Sequence, residues 1–90
     1  MNFNCIEDIK FLINKILECI DKTDVYYNDL NWFSEVNYTT TTEYFGELKI
    51  FINKIINYPK FSEFYLDLKQ LLNSLEEVLK TGHFWFLKTN

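Results

Sequence analysis

Residues 41 to 82 read TTEYFGELKIFINKIINYPKFSEFYLDLKQLLNSLEEVLKTG, with the chain's single proline, Pro59, near the middle. Ahead of Pro59, apolar side chains fall at Tyr44, Leu48, Phe51, Ile52 and Ile55, with Phe45 and Ile56 widening the set. Steps of three and four put these residues on one face of a helix. Beyond Pro59 the same spacing returns at Phe61, Phe64, Leu68, Leu71, Leu75 and Val78, flanked by Tyr65, Leu72 and Leu79. Proline has no amide hydrogen and pushes the residue before it out of the α region, so it ends one helix and can open the next. The pattern predicts a helix from about Thr41 to Asn57 and another over roughly Lys60 to Thr81, with Gly82 closing the second in the left-handed conformation glycine tolerates.

Upstream, Thr39 to Thr42 is a turn signal, and Thr40 with Glu43 has the form of a capping box. At the start of the chain Asn4 and Glu7 make a similar pair, followed by Ile6, Ile9, Ile13, Ile16, Leu17 and Ile20 at helical spacing. A first helix is expected from about Cys5 to Lys22. Between it and the threonines, Val25 to Val36 shows a looser pattern through Leu30, Phe33 and Val36, read as a short helix, with a strand or ordered loop as the alternative. After Gly82, Phe84, Trp85, Phe86 and Leu87 are too apolar to leave in water and are expected to pack back on the helices. With no internal repeat and two glycines, nothing divides the chain. The expected architecture is all-α: one domain, residues 1–90, a compact antiparallel bundle of three long helices and one short one with an apolar C-terminal tail packed back.

The chain has no alanine, and aromatics make up 19% of it, so Ile, Leu, Phe and Tyr must fill the core. It also has no arginine, and with a pI near 4.8 it lacks both the guanidinium fork and the field that hold a polyanion. Direct nucleic-acid binding is not expected. The opening MNFNCIED has no basic n-region, and no apolar run approaches the ~20 residues of a membrane span, so a soluble cytoplasmic protein is expected. Cys5 and Cys19 lie fourteen positions apart, and in one helix that separates them by roughly 21 Å along the axis. They are read as two reduced thiols in or near the core.

No catalytic constellation is present. His83 is the only histidine, and neither cysteine has a histidine near it in sequence. The pairs Glu7–Asp8 and Glu76–Glu77 point about 100° apart on a helix and converge on nothing. No metal or cofactor site is read from the chain.

The charge, by contrast, is concentrated. Between Lys22 and Lys49 stand Asp24, Asp29, Glu35, Glu43 and Glu47 with no basic residue, among Tyr26, Tyr27, Trp32, Phe33, Tyr38, Tyr44 and Phe45. The formal net charge is −4, yet the remaining eight acidic residues against nine lysines leave the rest of the chain at +1. Anionic charge steers a basic partner, and Tyr and Trp supply contact energy. Trp32 and Phe33 are adjacent, so on a helix one of them must face outward, and Trp32 is expected at a rim. The candidate partner-binding residues are Asp21, Asp24, Tyr26, Tyr27, Asp29, Trp32, Glu35, Glu43 and Glu47. The bland alternative has Asp24 capping a helix, one tyrosine packing and Asp29 in water. Against it stands the crowding of Asp21, Asp24 and Asp29 without a lysine, with Asp21 at a helix C-terminus where the dipole disfavours it.

The run Asp21-x-x-Asp24-Val25-Tyr26-Tyr27-Asn28-Asp29 beside Trp32 resembles, in type, the small acidic helical immunity proteins that neutralise bacterial nuclease toxins. These include the inhibitors of colicin nucleases and of contact-dependent growth inhibition toxins. The resemblance implies a stoichiometric inhibitor without enzymatic activity, whose acidic residues and tyrosine pair bind a basic toxin, matched here by Asp21, Asp24, Asp29, Tyr26 and Tyr27. In the colicin DNase group a proline follows the tyrosine pair, where this chain has Asn28. Two other readings remain: an inhibitor of a host nucleic-acid enzyme using the same surface, and a self-associating helical protein using the 84–87 tail. The chain is expected to be a monomer or weak homodimer.

Overall fold

Helix α1 (Ile6–Glu18) starts where the Asp8 carboxylate accepts the backbone N–H groups of Asn4, at 2.7 Å, and Cys5, at 3.3 Å. In this computed structural model, which describes residues 3–36 and 41–82, Cys5 is the N-cap residue. The cap expected from Asn4 and Glu7 is therefore displaced by one residue. The short Asp8 side chain sits in the first turn, where it satisfies two amides and complements the helix dipole. Ile6, Ile9, Leu12, Ile13 and Ile16 are buried.

The helix ends at Glu18, short of the expected Lys22. Cys19 donates its N–H to the carbonyl of Ile16 at 3.0 Å, and Asp24 and Tyr27 donate theirs to the carbonyls of Asp21 and Asp24 at 2.9 and 3.1 Å. Successive turns replace the helix, and within them the Asp24 carboxylate accepts the Tyr26 N–H at 3.2 Å, a local side-chain bond in place of a helical one. Cys5 is buried and Cys19 exposed, neither in a disulfide, so only one of the two is in the core.

Helix α2 (Tyr27–Glu35) buries Leu30 and Phe33 and ends at Val36, whose N–H reaches the carbonyl of Trp32 at 2.9 Å. It begins later than Val25, which stands 82% exposed. Helix α3 (Thr41–Ile55) carries the stripe Tyr44, Phe45, Leu48, Phe51, Ile52 and Ile55 into the core. Tyr58 is extended, with φ −71° and ψ 122°, as the residue before proline must be.

The last helical stretch differs from a single helix opening at Lys60. Pro59–Phe64 is a 3₁₀ helix, and helix α4 (Tyr65–Thr81) follows it. Phe61 and Phe64 are three apart, and at three residues per turn both rings point inward, where both are buried. Gly82 closes α4 at φ 75°, donating its N–H to the carbonyl of Val78 at 2.9 Å.

Helix α1 packs on α2, and α3 on α4. Contacts of Phe33 with Tyr44 and of Tyr26 with Phe51 run α2 and α3 antiparallel. One core joins all four helices, with Phe45 and Phe61 at its centre. The fold is thus the all-α helical bundle expected. Thr40, His83 and the 84–87 tail lie outside the described residues.

Candidate functional site

On α2, neighbouring side chains diverge by about 100°, so Trp32 and Phe33 cannot face the same way. Phe33 is 5% exposed and Trp32 45%. The indole stands edge-on to Phe33 with ring centroids 4.7 Å apart, and tilted over Tyr44 at 6.2 Å. Phe33 and Tyr44 in turn meet at 5.8 Å, so a buried aromatic pair backs the exposed indole.

Two hollows flank Trp32 between α2 and α3. The larger, about 360 Å³, has Phe33, Ile50 and Phe51 for its apolar lining and Asp29, Glu47 and Lys54 among its polar residues. The smaller, about 220 Å³, lies among Trp32, Val36, Glu43, Tyr44 and Glu47. Trp32 and Glu47 line both, forming the saddle of one furrow. Along α3 the residues Glu43, Glu47, Ile50 and Lys54 follow steps of four, three and four, one face of the helix and about 16 Å of its length. Among the described residues no ion pair or side-chain hydrogen bond engages Asp29, Glu43, Glu47 or the indole N–H of Trp32.

The furrow therefore brings together four residues of the candidate set: Asp29, Trp32, Glu43 and Glu47. The others go elsewhere. Asp24, with its side chain 5% exposed, receives Lys60 Nζ on Oδ2 at 2.8 Å. That bond from Lys60, with the Tyr26 N–H, holds the Asp24 carboxyl below its ordinary value, and the same bond raises Lys60. The crowding read around Asp24 thus has its cation after all, supplied from beyond Pro59. Asp21 is exposed in the turn and adds to the negative field that raises Lys60.

Tyr26 is wedged against Tyr58, Phe51 and Phe61 at 5.1, 6.0 and 6.0 Å. Tyr27 is half-buried and packs on the core. Glu35 is exposed at the last position of α2, outside both hollows. Tyr26 and Asp24 thus knit the α1–α2 connection to the 3₁₀ helix. Ile50, Phe51 and Lys54 are furrow residues absent from the candidate set. Ile50 carried a signal, being the large aliphatic residue of α3 that falls off its buried stripe, and it is 60% exposed.

Among the described residues no three of His, Cys, Asp and Glu are grouped to hold a metal ion, and no helix is long and apolar enough to cross a membrane. Cys19 lies beside Glu63. Partial desolvation and that carboxylate push its thiol up, away from the reactive thiolate. What the furrow offers is chemistry of recognition: an anionic rim, a half-exposed indole and an apolar lining. No family model, no curated protein and no solved structure matches this chain.

Proposed function

We propose that this protein is a stoichiometric inhibitor, an immunity protein, that binds and neutralises a basic protein toxin of nuclease type through the acidic, aromatic face of α2 and α3. The observation that carries the proposal is Trp32, 45% exposed on a buried aromatic base and bordered by carboxylates from two helices. An exposed Trp beside an apolar hollow is the kind of residue that dominates binding energy, and unpaired rim carboxylates steer a cationic surface. A nuclease must be basic to hold its substrate, so its inhibitor is acidic at the contact face. The inhibitor acts without cofactor or catalysis, in the cytoplasm where such a toxin meets nucleic acid.

The test is co-expression. A tagged chain recovered from its host at low salt should bring down one basic protein in 1:1 ratio. That protein, toxic and nucleolytic alone, should be silenced by an equimolar amount of the chain. A partner that is not toxic, or a toxin whose activity persists in the complex, refutes the proposal.

A further inference from the structure

We infer that the furrow between α2 and α3 receives an arginine side chain of the partner, its guanidinium laid on the Trp32 indole and held by Asp29 and Glu47. An aliphatic neighbour from the same partner segment fills the hollow over Phe33, Ile50 and Phe51. The inhibitor proposal supplies the partner, whereas the furrow itself supplies the chemistry of the contact.

Charge complementarity selects the occupant. Asp29 and Glu47 line the hollow that Trp32 borders and Glu43 lines its continuation; among the described residues none of the three is in an ion pair, and with Lys54 on the same wall the larger hollow keeps a net negative charge. A cation over the indole meets the negative face of the ring and the carboxylates at once. Arginine suits this place better than lysine, because a planar guanidinium stacks on the ring while its fork of N–H donors reaches carboxylates in its own plane. The hollow, about 360 Å³, has room for one large side chain and its neighbour, near the lower end of the roughly 300–1,000 Å³ of small-molecule clefts. Lys54 lines the same hollow and repels a second cation there, so the furrow takes an isolated arginine beside apolar residues and discriminates against a polybasic tract.

The probe is a blocked leucine–arginine–leucine tripeptide, titrated into nitrogen-15-labelled full-length protein to about 10 mM. The control is the same peptide with citrulline, the neutral isostere, in place of arginine. The arginine peptide should shift the Trp32 indole N–H and the amides of residues 29–36 and 43–54, with at least about tenfold tighter binding than the citrulline peptide. Glu47→Gln should erase that preference, while Glu76→Gln on α4 should preserve it. Equal binding of the two peptides, shifts centred away from the furrow, or no shift at the highest concentration would overturn the inference. A protein that prefers arginine but recovers no toxin defeats the inhibitor proposal alone. One that silences a toxin but shows no arginine preference defeats this inference alone.

Discussion

The hydroxyl of Tyr44 donates to the backbone carbonyl of Phe33 across 3.2 Å, pinning the last turn of α2 to the first turns of α3. That carbonyl belongs to the helix end that has no intrahelical partner to offer, and the bond is buried. It sets the spacing of the two helices at the place where Trp32 must stand out. Burial pushes the Tyr44 hydroxyl up to about 12, so it remains a donor throughout the neutral range.

Tyr44→Phe should therefore lower stability by about 1 kcal/mol, measured by urea unfolding. The pH dependence has a definite sign. An unfolded tyrosine loses its proton near its ordinary value of 10.0, and the folded one only near 12. Stability is therefore unaffected by this group below 10.0 and falls as pH rises from there through about 12, because the unfolded hydroxyl ionises while the buried one keeps its proton. The wild-type midpoint should fall more steeply than that of Tyr44→Phe over this interval.

The ion pair of Asp24 and Lys60 responds at the other end of the scale. Because the Asp24 carboxyl lies below its ordinary 3.8 in the folded protein, its contribution is present above 3.8 and disappears as pH falls through the lower folded value. Asp24→Asn should be less stable than wild type at neutral pH and indistinguishable from it in strong acid. Urea midpoints for the two proteins across that range would show the curves converge. Its effect on partner binding should be small, since Asp24 is spent on Lys60.

The two glycines of the chain should respond to alanine with opposite signs. Gly46 lies inside α3, where an added Cβ would meet nothing within 4 Å, so Gly46→Ala should stabilise by about 0.5–1 kcal/mol. Gly82 also has open space, but its φ of +75° strains any L side chain, and Gly82→Ala should destabilise by about 1 kcal/mol. Melting temperatures of the two variants would separate the conformational effect from crowding, which neither site has.

Phe61 is fully buried where Tyr26 and Tyr58 meet, with centroids 6.0 and 5.0 Å away. Phe61→Ala should cost about 3–5 kcal/mol, a large share of the stability of so small a domain. Trp32→Ala, on the rim, should cost about 1 kcal/mol and leave cooperative unfolding intact. Calorimetric or chemical unfolding of both checks the contrast between a ring that holds the fold and a ring set out for binding.

These differences also mark what the sequence could and could not convey. The stripes of α3 and α4 and the stop at Pro59 are local patterns, and the helices follow them. The outward turn of Trp32 follows from the adjacency of Trp32 and Phe33 on α2. The 3₁₀ helix was hidden because a spacing of three, as in Phe61 and Phe64, fits either helical period. The early end of α1 was hidden because Ile20 continues the apolar pattern beyond Glu18, where the helix stops. Lys60 lies 36 residues from Asp24, and no local pattern announces such a pair. The furrow is likewise tertiary: its two walls come from separate helices, so the sequence could offer Asp29, Trp32, Glu43 and Glu47 as candidates without showing that they meet, or that Ile50, Phe51 and Lys54 join them.

The most direct measurement is the affinity of the chain for the basic protein recovered with it, by titration calorimetry, for wild type and for Trp32→Ala. Unfolding of each should be followed alongside, to confirm that the variant is folded. The inhibitor proposal requires a loss of at least about 30-fold, or ~2 kcal/mol, as for a central aromatic anchor. A folded Trp32→Ala that binds its partner as tightly as wild type would contradict it.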